Sequence, residues 1–184
     1  MIPEVDTGDI RLDEADVVRM SPRQHEVLQL TIEGLSNREI ADKLGNSVKT
    51  VEGHRRQLLL KAQDFSGYSV ENRRKALVNC VIVAVRSGAV TVASVPEEII
   101  LTRREVEVAA HLVSGEDLRE ISNALFIHSD AVEIHLRNIY RKIGIQTRAY
   151  HPSYLQAVAI LAKYTIDKKV VVRNLRGVTQ KYAI

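Results

Sequence analysis

The side chains suited to bind a polyanion are unevenly spread along this chain of 184 residues. Residues 21–88 carry eleven Lys or Arg and seven Asp or Glu, a net charge of +4. Residues 167–184 carry five Lys or Arg and one Asp, which also gives +4. Residues 1–20 have a net charge of −4 and residues 102–166 of +1. Because phosphate backbones attract clustered basic groups, residues 21–88 and the tail are the segments most suited to contact nucleic acid.

The sequence shows no group of side chains arranged for catalysis or for metal binding. We find no carboxylate pair at acid–base spacing, and neither His54 nor His135 has a second ligand at a convincing spacing. We interpret these histidines as part of a helical face or core edge, with a phosphate contact as the alternative. Cys80 lies in an apolar run and is interpreted as a buried small hydrophobe. We therefore predict that the protein is not an enzyme and needs neither metal nor cofactor.

The composition is typical of a soluble globular protein, with 45% hydrophobic and 27% charged residues. Trp is absent and there are two Phe, so the cores must be aliphatic. No apolar run approaches the roughly 18 residues of a membrane span, and the start lacks the basic and apolar regions of a secretion signal. We expect a cytoplasmic protein with no membrane contact.

The chain contains an internal repeat that aligns without a gap. Between residues 23 and 61, 13 of 39 positions are identical to their counterparts in residues 104–142. The identical pairs include Arg23/Arg104, Glu26/Glu107, Gly34/Gly115, Leu44/Leu125, Val51/Val132, Arg56/Arg137 and Lys61/Lys142. We interpret this as a duplication, with a first copy at residues 21–88 and a second copy at residues 101–166.

Four helices are predicted in each copy. The first ends at Gly34 or Gly115, since glycine favours a helix C-terminus. The capping boxes that open the first and second helices are Ser21–Gln24, Ser36–Glu39, Thr102–Glu105 and Asp117–Glu120. In the first copy, the third helix is expected to begin at Ser47 or Lys49 and to run to about Ala62. In the second copy, the third helix is expected to be capped by Ser129. The fourth helices are expected over 75–86 and 153–164.

A short helix, a tight turn and a longer amphipathic helix make a helix-turn-helix. Such a unit needs a small residue where the helices cross, which Ala41 and Ser122 supply. It needs unusual backbone angles at the turn, which suits Gly45 but not obviously Phe126. The aliphatic anchors expected beneath the third helices are Val51 and Val132.

The motifs of both copies resemble one known family. The motifs are Ser21–Leu30, Gly34–Ala41 and Val48–Arg56 in the first copy, and Leu101–Ala109, Leu118–Ser122 and Ala131–Gly144 in the second. They resemble the LuxR-type (also called GerE- or FixJ-type) DNA-binding domain over about 21–88 and 101–165. The resemblance implies an all-α fold of two tandem four-helix domains. Short β segments are expected in the linker (89–100) and in the basic tail (167–184), and the acidic segment 1–20 is expected to form a short helix.

The resemblance also implies a role for each position of the third helix, which enters the major groove in that family. The residues that would face bases or phosphates are Glu52, Gly53 and Arg56 in the first copy, and Glu133, Ile134 and Arg137 in the second. Those that would contact backbone phosphates are Lys49 and Thr50 near the helix start, with Arg55 and Lys61 as further contacts. Arg56 and Arg137 are the strongest candidates, because a guanidinium can grip guanine or phosphate with two hydrogen bonds.

The second copy departs from the family chemistry. It has Asp130-Ala131 where the first copy has Lys49-Thr50, which replaces a phosphate attractor by a repeller and removes a hydroxyl. The second copy either contacts DNA more weakly than the first or serves as a scaffold or dimerisation copy. Both copies also have a longer stretch than is usual before the fourth helix, which in that family often forms the dimer interface.

We therefore predict a sequence-specific transcriptional regulator that binds double-stranded DNA at the nucleoid. Only the acidic segment 1–20 precedes the first copy, so we expect no sensor domain. The two copies could form a pseudo-dimer within one chain, or two chains could form a homodimer. The alternative function is a protein-binding anti-regulator that pairs with another LuxR-type factor. Three alternatives stay open for the tail: a strand or arm packed on the domains (pairing with residues 89–95), a basic arm along DNA, or disorder.

Overall fold

The structure, a computed structural model, describes residues 20–66, 72–92, 99–145, 154–167, 170–173 and 179–181. It is mostly helical, as predicted. Within these ranges the helices are α1 (Pro22–Ile32), α2 (Asn37–Leu44), α3 (Val48–Ser66), α4 (Arg73–Arg86), α5 (Arg103–Val113), α6 (Leu118–Leu125), α7 (Ser129–Lys142) and α8 (Tyr154–Asp167). The strands are β1 (Ile99–Leu101), β2 (Val170–Arg173) and β3 (Thr179–Lys181). The acidic segment, apart from Met20, lies outside the described residues, and with it the short helix expected there.

Local sequence signals determine where the first two helices of each copy begin. The four predicted capping boxes all form, each with its side-chain and backbone hydrogen bonds in place, and they open α1, α2, α5 and α6. Gly34 and Gly115, which follow α1 and α5, have φ of +87° and +79°. At these angles a Cβ would be strained, which explains why both copies have glycine there.

The turn of the helix-turn-helix is left-handed in both copies. Gly45 has φ 63° and ψ 36°, and Phe126 has φ 52° and ψ 44°. A phenylalanine therefore adopts a backbone conformation that costs about 1–2 kcal/mol for a residue with a Cβ.

Several predicted helix ends are wrong by a few residues. Helix α3 continues to Ser66 beyond Ala62, because no glycine or proline interrupts it before Gly67. Helix α4 begins at Arg73 rather than Lys75, and α8 continues to Asp167 beyond residue 164. Ser129 is the first residue of α7 and not its cap. His128 occupies the cap position there, without a side-chain capping bond.

The fourth helices of the two copies, α4 and α8, pack against each other. Helix α1 of the first copy also contacts α8. Among the residues that the structure describes, the buried hydrophobic side chains belong to one cluster, which is aliphatic apart from Tyr164 and the sulfur-containing Met20 and Cys80. The two copies are thus joined through their helical cores.

A small sheet connects the tail to the second copy. Strand β2 pairs in parallel with β1, with Ile99 opposite Val170, and in antiparallel with β3, with Val172 opposite Gln180. Of the three alternatives left open for the tail, the strand packed on the domains is the one that β2 and β3 form. Its expected partner is wrong: residues 89–92 form no strand, and residues 93–95 lie outside the described part of the chain. Strand β1 takes that place because it leads straight into α5, which β2 also contacts.

No helix of the described residues has both the length and the apolar character to cross a membrane.

Candidate nucleic-acid interface

The buried side of α3 determines which of its residues face outward. Val51, the predicted anchor, and Leu58 are both buried, and α3 packs against α1, α2 and α4. The residues of α3 that were predicted to contact DNA and are exposed are Lys49, Thr50, Glu52, Gly53 and Arg56. They lie along the first two turns, on the side of the helix away from Val51. This end of α3 therefore presents two cations, one hydroxyl and one carboxylate to solvent.

Helix α7 is oriented by the same anchors in the second copy. Val132 and Ile139 are fully buried, and Leu136 packs against the core. The predicted residues Glu133, Ile134 and Arg137 are exposed. The structure thus brings the predicted residues of α7 together on an outward face.

The starts of α3 and α7 differ in their polar groups. The hydroxyl of Ser47 accepts a hydrogen bond from the Thr50 backbone N–H and lies 2.8 Å from the Thr50 hydroxyl. At the equivalent site of α7, His128 makes no cap, and its Nδ1 lies 3.4 Å from the carboxylate of Asp130. The first turn of α7 therefore carries an exposed carboxylate where α3 carries Lys49.

Two predicted phosphate contacts, Arg55 and Lys61, are engaged within the protein. The Nη1 of half-buried Arg55 donates to Asn37 Oδ1 at 2.5 Å. Burial lowers the pKa of Arg55, and Tyr154 acts in the opposite direction. Lys61 Nζ donates to Oε1 of the capping residue Gln24 at 3.0 Å. These contacts hold α3 against α2 and α1, whereas a role in DNA binding stays a prediction for both residues.

Arg23 and Arg104 are an identical pair of the internal repeat for which the sequence analysis predicted no function, and the structure shows what each contacts. Arg23 Nη1 donates to Glu26 at 2.6 Å, and its Nη2 donates to the Leu44 carbonyl at the end of α2 at 3.3 Å. Arg104 makes the same two bonds, to Glu107 at 2.6 Å and to the Leu125 carbonyl at 2.9 Å. All three residue types are identical in the two copies, and this was the sequence signal for the contact.

Cys80 and the two histidines differ in burial. Cys80 is buried, and burial raises the pKa of its thiol to about 11, which confirms the interpretation as a buried hydrophobe. His54 and His135 are half-buried at equivalent positions of α3 and α7. Among the residues that the structure describes, no cluster of His, Cys, Asp or Glu could hold a metal ion.

The family model of the bacterial regulatory proteins of the luxR family (GerE) matches residues 18–63 and 99–151, together more than half of the chain. The chain belongs to the luxR family. The two luxR-family matches begin at residues 18 and 99, which is the same offset that separates Arg23 from Arg104 in the internal repeat. The family match confirms the predicted character of the two matched regions as DNA-binding helix-turn-helix units of the luxR type.

Individual luxR-family relatives are similar to parts of the chain. An uncharacterised transcriptional regulatory protein of Bacillus subtilis, YhcZ, is 31% identical over 70 residues, which cover 38% of this chain and 30% of YhcZ. The CsgBAC operon transcriptional regulatory protein of Escherichia coli is 36% identical over 58 residues, 32% of this chain and 27% of that protein. The chain thus matches less than one third of the length of these relatives. No solved structure matches it.

Proposed function

We propose that this chain is a sequence-specific transcriptional regulator that binds duplex DNA through two tandem helix-turn-helix domains, residues 21–88 and 101–166. The observation that carries the proposal is the exposure of Arg56 and Arg137 at equivalent positions, each on a helix whose other side is buried through Val51 or Val132. A helix presented in this way can enter the major groove, where a guanidinium recognises guanine.

Reciprocal contacts between the copies support a pseudo-dimer within one chain. A Cβ on Gly34 would lie 2.7 Å from the Gln156 side chain, and a Cβ on Gly115 would lie 2.8 Å from the Lys75 backbone. Gly34 and Gly115 are equivalent positions of the repeat, and so are Lys75 and Gln156. The same pair of positions therefore meets twice, as residues do in an isologous interface with two-fold symmetry.

Polar contacts accompany both close approaches. Gln156 Nε2 donates to the Glu33 carbonyl at 3.3 Å, and Lys75 Nζ lies 3.4 Å from the Glu120 carboxylate. Between them, the apolar faces of α4 and α8 cover each other. A chain built in this way would present α3 and α7 to two half-sites about one helical turn, roughly 34–36 Å, apart.

The two half-sites are expected to be unequal. The first turn of α3 offers Lys49 and a capped Thr50, whereas α7 offers Asp130 and Ala131. Since each neutralised phosphate releases counterions, the first domain would supply more of the salt-dependent affinity. The second domain would contribute mainly through Arg137.

Selection of bound duplexes from a random pool tests the proposal. The wild-type chain should enrich a motif with two unequal half-sites. Arg56→Ala should weaken binding by about 1–3 kcal/mol and relax specificity in the first half-site, and Arg137→Ala should do the same in the second with a smaller loss. Unchanged binding by both variants would show that these helices do not read DNA. Light scattering should show a single protein chain both without DNA and in the complex with DNA. A dimer in the absence of DNA would favour a homodimer of chains.

Exposed apolar side chains favour one alternative function, an anti-regulator that pairs with another luxR-family protein. Phe126 is 94% exposed and Ile134 is 54% exposed, both in the second copy. Such a protein would bind no duplex from a random or genomic pool at low salt. Because α4 and α8 already cover each other, pairing would have to use another face.

A further inference from the structure

The internal repeat contains three pairs of identical arginines, and one of these pairs has no contact that explains it. Arg23 and Arg104 make the same two bonds within their own copies, and a second pair lies on the exposed faces of α3 and α7. The third pair is Arg38 and Arg119. Both are exposed, and neither side chain has a hydrogen bond or an ion pair with another described residue.

The position of these arginines on their helices makes the lack of a partner unfavourable. Arg38 is the second residue of α2, and Arg119 is the second residue of α6. The N-terminal end of a helix carries a partial positive charge, which disfavours a nearby cation. The adjacent carboxylates of Glu39 and Glu120 accept bonds from the backbone N–H groups of the capping residues, at 2.8 and 2.7 Å, and do not pair with the arginines. A cation at this position is therefore best explained by an anion outside the protein.

Backbone donors at both helix starts are already engaged by the capping boxes. The Ser36 hydroxyl accepts a bond from the Glu39 N–H at 3.2 Å. The Asp117 carboxylate accepts bonds from the N–H groups of Arg119 and Glu120, both at 2.8 Å. A guanidinium has five N–H donors, and it is the group with free donors that both copies share at this site.

The start of α2 lies beside the first recognition helix. The Oδ1 of Asn37, the residue before Arg38, accepts a bond at 2.5 Å from Nη1 of Arg55, which precedes Arg56 on α3. In the second copy, the residues equivalent to Asn37 and Arg55 both pack against the apolar core. When the third helix lies in the major groove, the first helix of a helix-turn-helix crosses the DNA backbone. Arg38 and Arg119 would then lie next to a phosphate.

We propose that Arg38 and Arg119 each bind a phosphate group of the DNA backbone, one at each half-site. The inference rests on the proposed function and adds to it a phosphate contact that both copies share. A guanidinium can hold a phosphate through two parallel hydrogen bonds. Such a contact fixes the register of each domain on the duplex without reading the bases. It also gives the second copy a phosphate contact in spite of Asp130.

The salt dependence of binding to the duplex selected by the wild-type chain tests the proposal. Arg38→Gln and Arg119→Gln should each weaken binding about five- to tenfold at about 0.1 M salt and reduce the salt slope by about 0.9, and the double variant should reduce it by about 1.8. Arg38→Lys keeps the charge and should keep the slope. The motif enriched from a random pool should stay the same in all these variants, in contrast to Arg56→Ala, because phosphate contacts carry no sequence information.

Arg86→Gln is the matched control. Arg86 is also exposed, but it lies in the last turn of α4, outside both helix-turn-helix units, where the helix end favours a cation. This variant removes the same charge and should leave the salt slope unchanged. Urea unfolding of the free protein gives a second readout. Arg38→Gln and Arg119→Gln should keep the wild-type midpoint or raise it, because each removes a cation from the positive end of a helix.

Four results would overturn the proposal. Unchanged salt slopes in Arg38→Gln and Arg119→Gln would show that these arginines do not touch DNA, and the proposed function would stand if Arg56→Ala still weakens binding. An equal reduction in Arg86→Gln would show a general effect of net charge. A lower urea midpoint with the slope retained would show that the arginines stabilise the fold instead. If the wild-type chain binds no duplex, the proposed function and this proposal fail together.

Discussion

The two copies share the residues that build the fold and one exposed arginine, Arg56 or Arg137, and they differ at the start of the third helix. Arg23 and Arg104 make the same pair of bonds, and Val51 and Val132 are buried at the same position. The first turns of α3 and α7, in contrast, carry opposite charges at Lys49 and Asp130. A duplicated domain can thus keep its internal contacts while part of its outer surface changes, here at the first turn of the third helix.

The largest expected effect tests the reciprocal contact between the copies. We expect Gly115→Ala to lower the free energy of unfolding by about 3–4 kcal/mol, of which about 1–2 is the cost of positive φ and the rest is overlap with the Lys75 backbone. Gly88→Ala, with φ +73° and open space around the site, has the strain alone. Gly34→Ala should lie between the two, because its neighbour is the flexible end of Gln156. Urea unfolding measures all three, and equal losses at Gly115 and Gly88 would contradict this packing of the copies.

The second prediction compares the lysines that hold the capping boxes. Lys142 Nζ lies 2.5 Å from Oε2 of Glu105, a buried carboxylate, whereas Lys61 bonds to the neutral Gln24. Lys142→Met leaves a buried charge unpaired and should cost about 3 kcal/mol in unfolding free energy. Lys61→Met removes a hydrogen bond from a neutral group and should cost about 1 kcal/mol. Similar losses in urea unfolding would show that Glu105 remains solvated or protonated.

The pH dependence of stability checks the same pair independently. Burial raises the pKa of Glu105, but its bonds from Lys142 and Thr102 outweigh this and hold the pKa below its usual value. The stabilisation is therefore complete above the unfolded pKa of about 4.3 and is lost as the pH falls through the lower folded pKa. Glu105→Gln, which copies Gln24, should flatten the acid limb of the stability curve. An acid limb as steep as that of the wild type would contradict the pairing.

The sequence predicted the features that depend on local signals. Capping boxes, glycines at helix ends and the anchors Val51 and Val132 are short-range patterns with one structural solution, and all of them form. The repeat supplied each pattern a second time. The helix-turn-helix fold and the outward face of each third helix could therefore be derived without coordinates.

Features that depend on tertiary contacts could not be predicted in this way. Arg55 and Lys61 look like surface cations on α3, yet their partners lie on other helices at Asn37 and Gln24. A tail strand was one of three alternatives, and its pairing with β1 depends on how the chain returns to the second copy. Periodicity indicates which side of a helix is apolar and contains no information on which polar group a long side chain will reach.

The third prediction converts one recognition helix into the other. Asp130→Lys with Ala131→Thr gives the first turn of α7 the same two residues that α3 has at Lys49 and Thr50. DNA binding should become roughly tenfold tighter at moderate salt, and the salt slope should be steeper by about 0.9, because one more phosphate is neutralised. The reverse change, Lys49→Asp with Thr50→Ala, should weaken binding by at least as much. Affinity measured over a salt series provides both quantities. If the second-copy substitutions have no effect while the first-copy substitutions do, α7 does not approach DNA in the complex.

The smallest expected effect concerns the left-handed turn, where the copies have the same backbone and different residues. Phe126 is 94% exposed and has positive φ, so its ring gains little from packing while its Cβ is strained. Phe126→Gly should raise the free energy of unfolding by about 1 kcal/mol, and the reciprocal Gly45→Phe should lower it by a similar amount. A loss of stability in Phe126→Gly would mean that the ring makes a contact worth more than the strain. If the Phe126→Gly variant is more stable but binds DNA more weakly, the exposed and strained Phe126 has a role in binding. The two copies would then differ in function at the turn as well as at the helix that follows it.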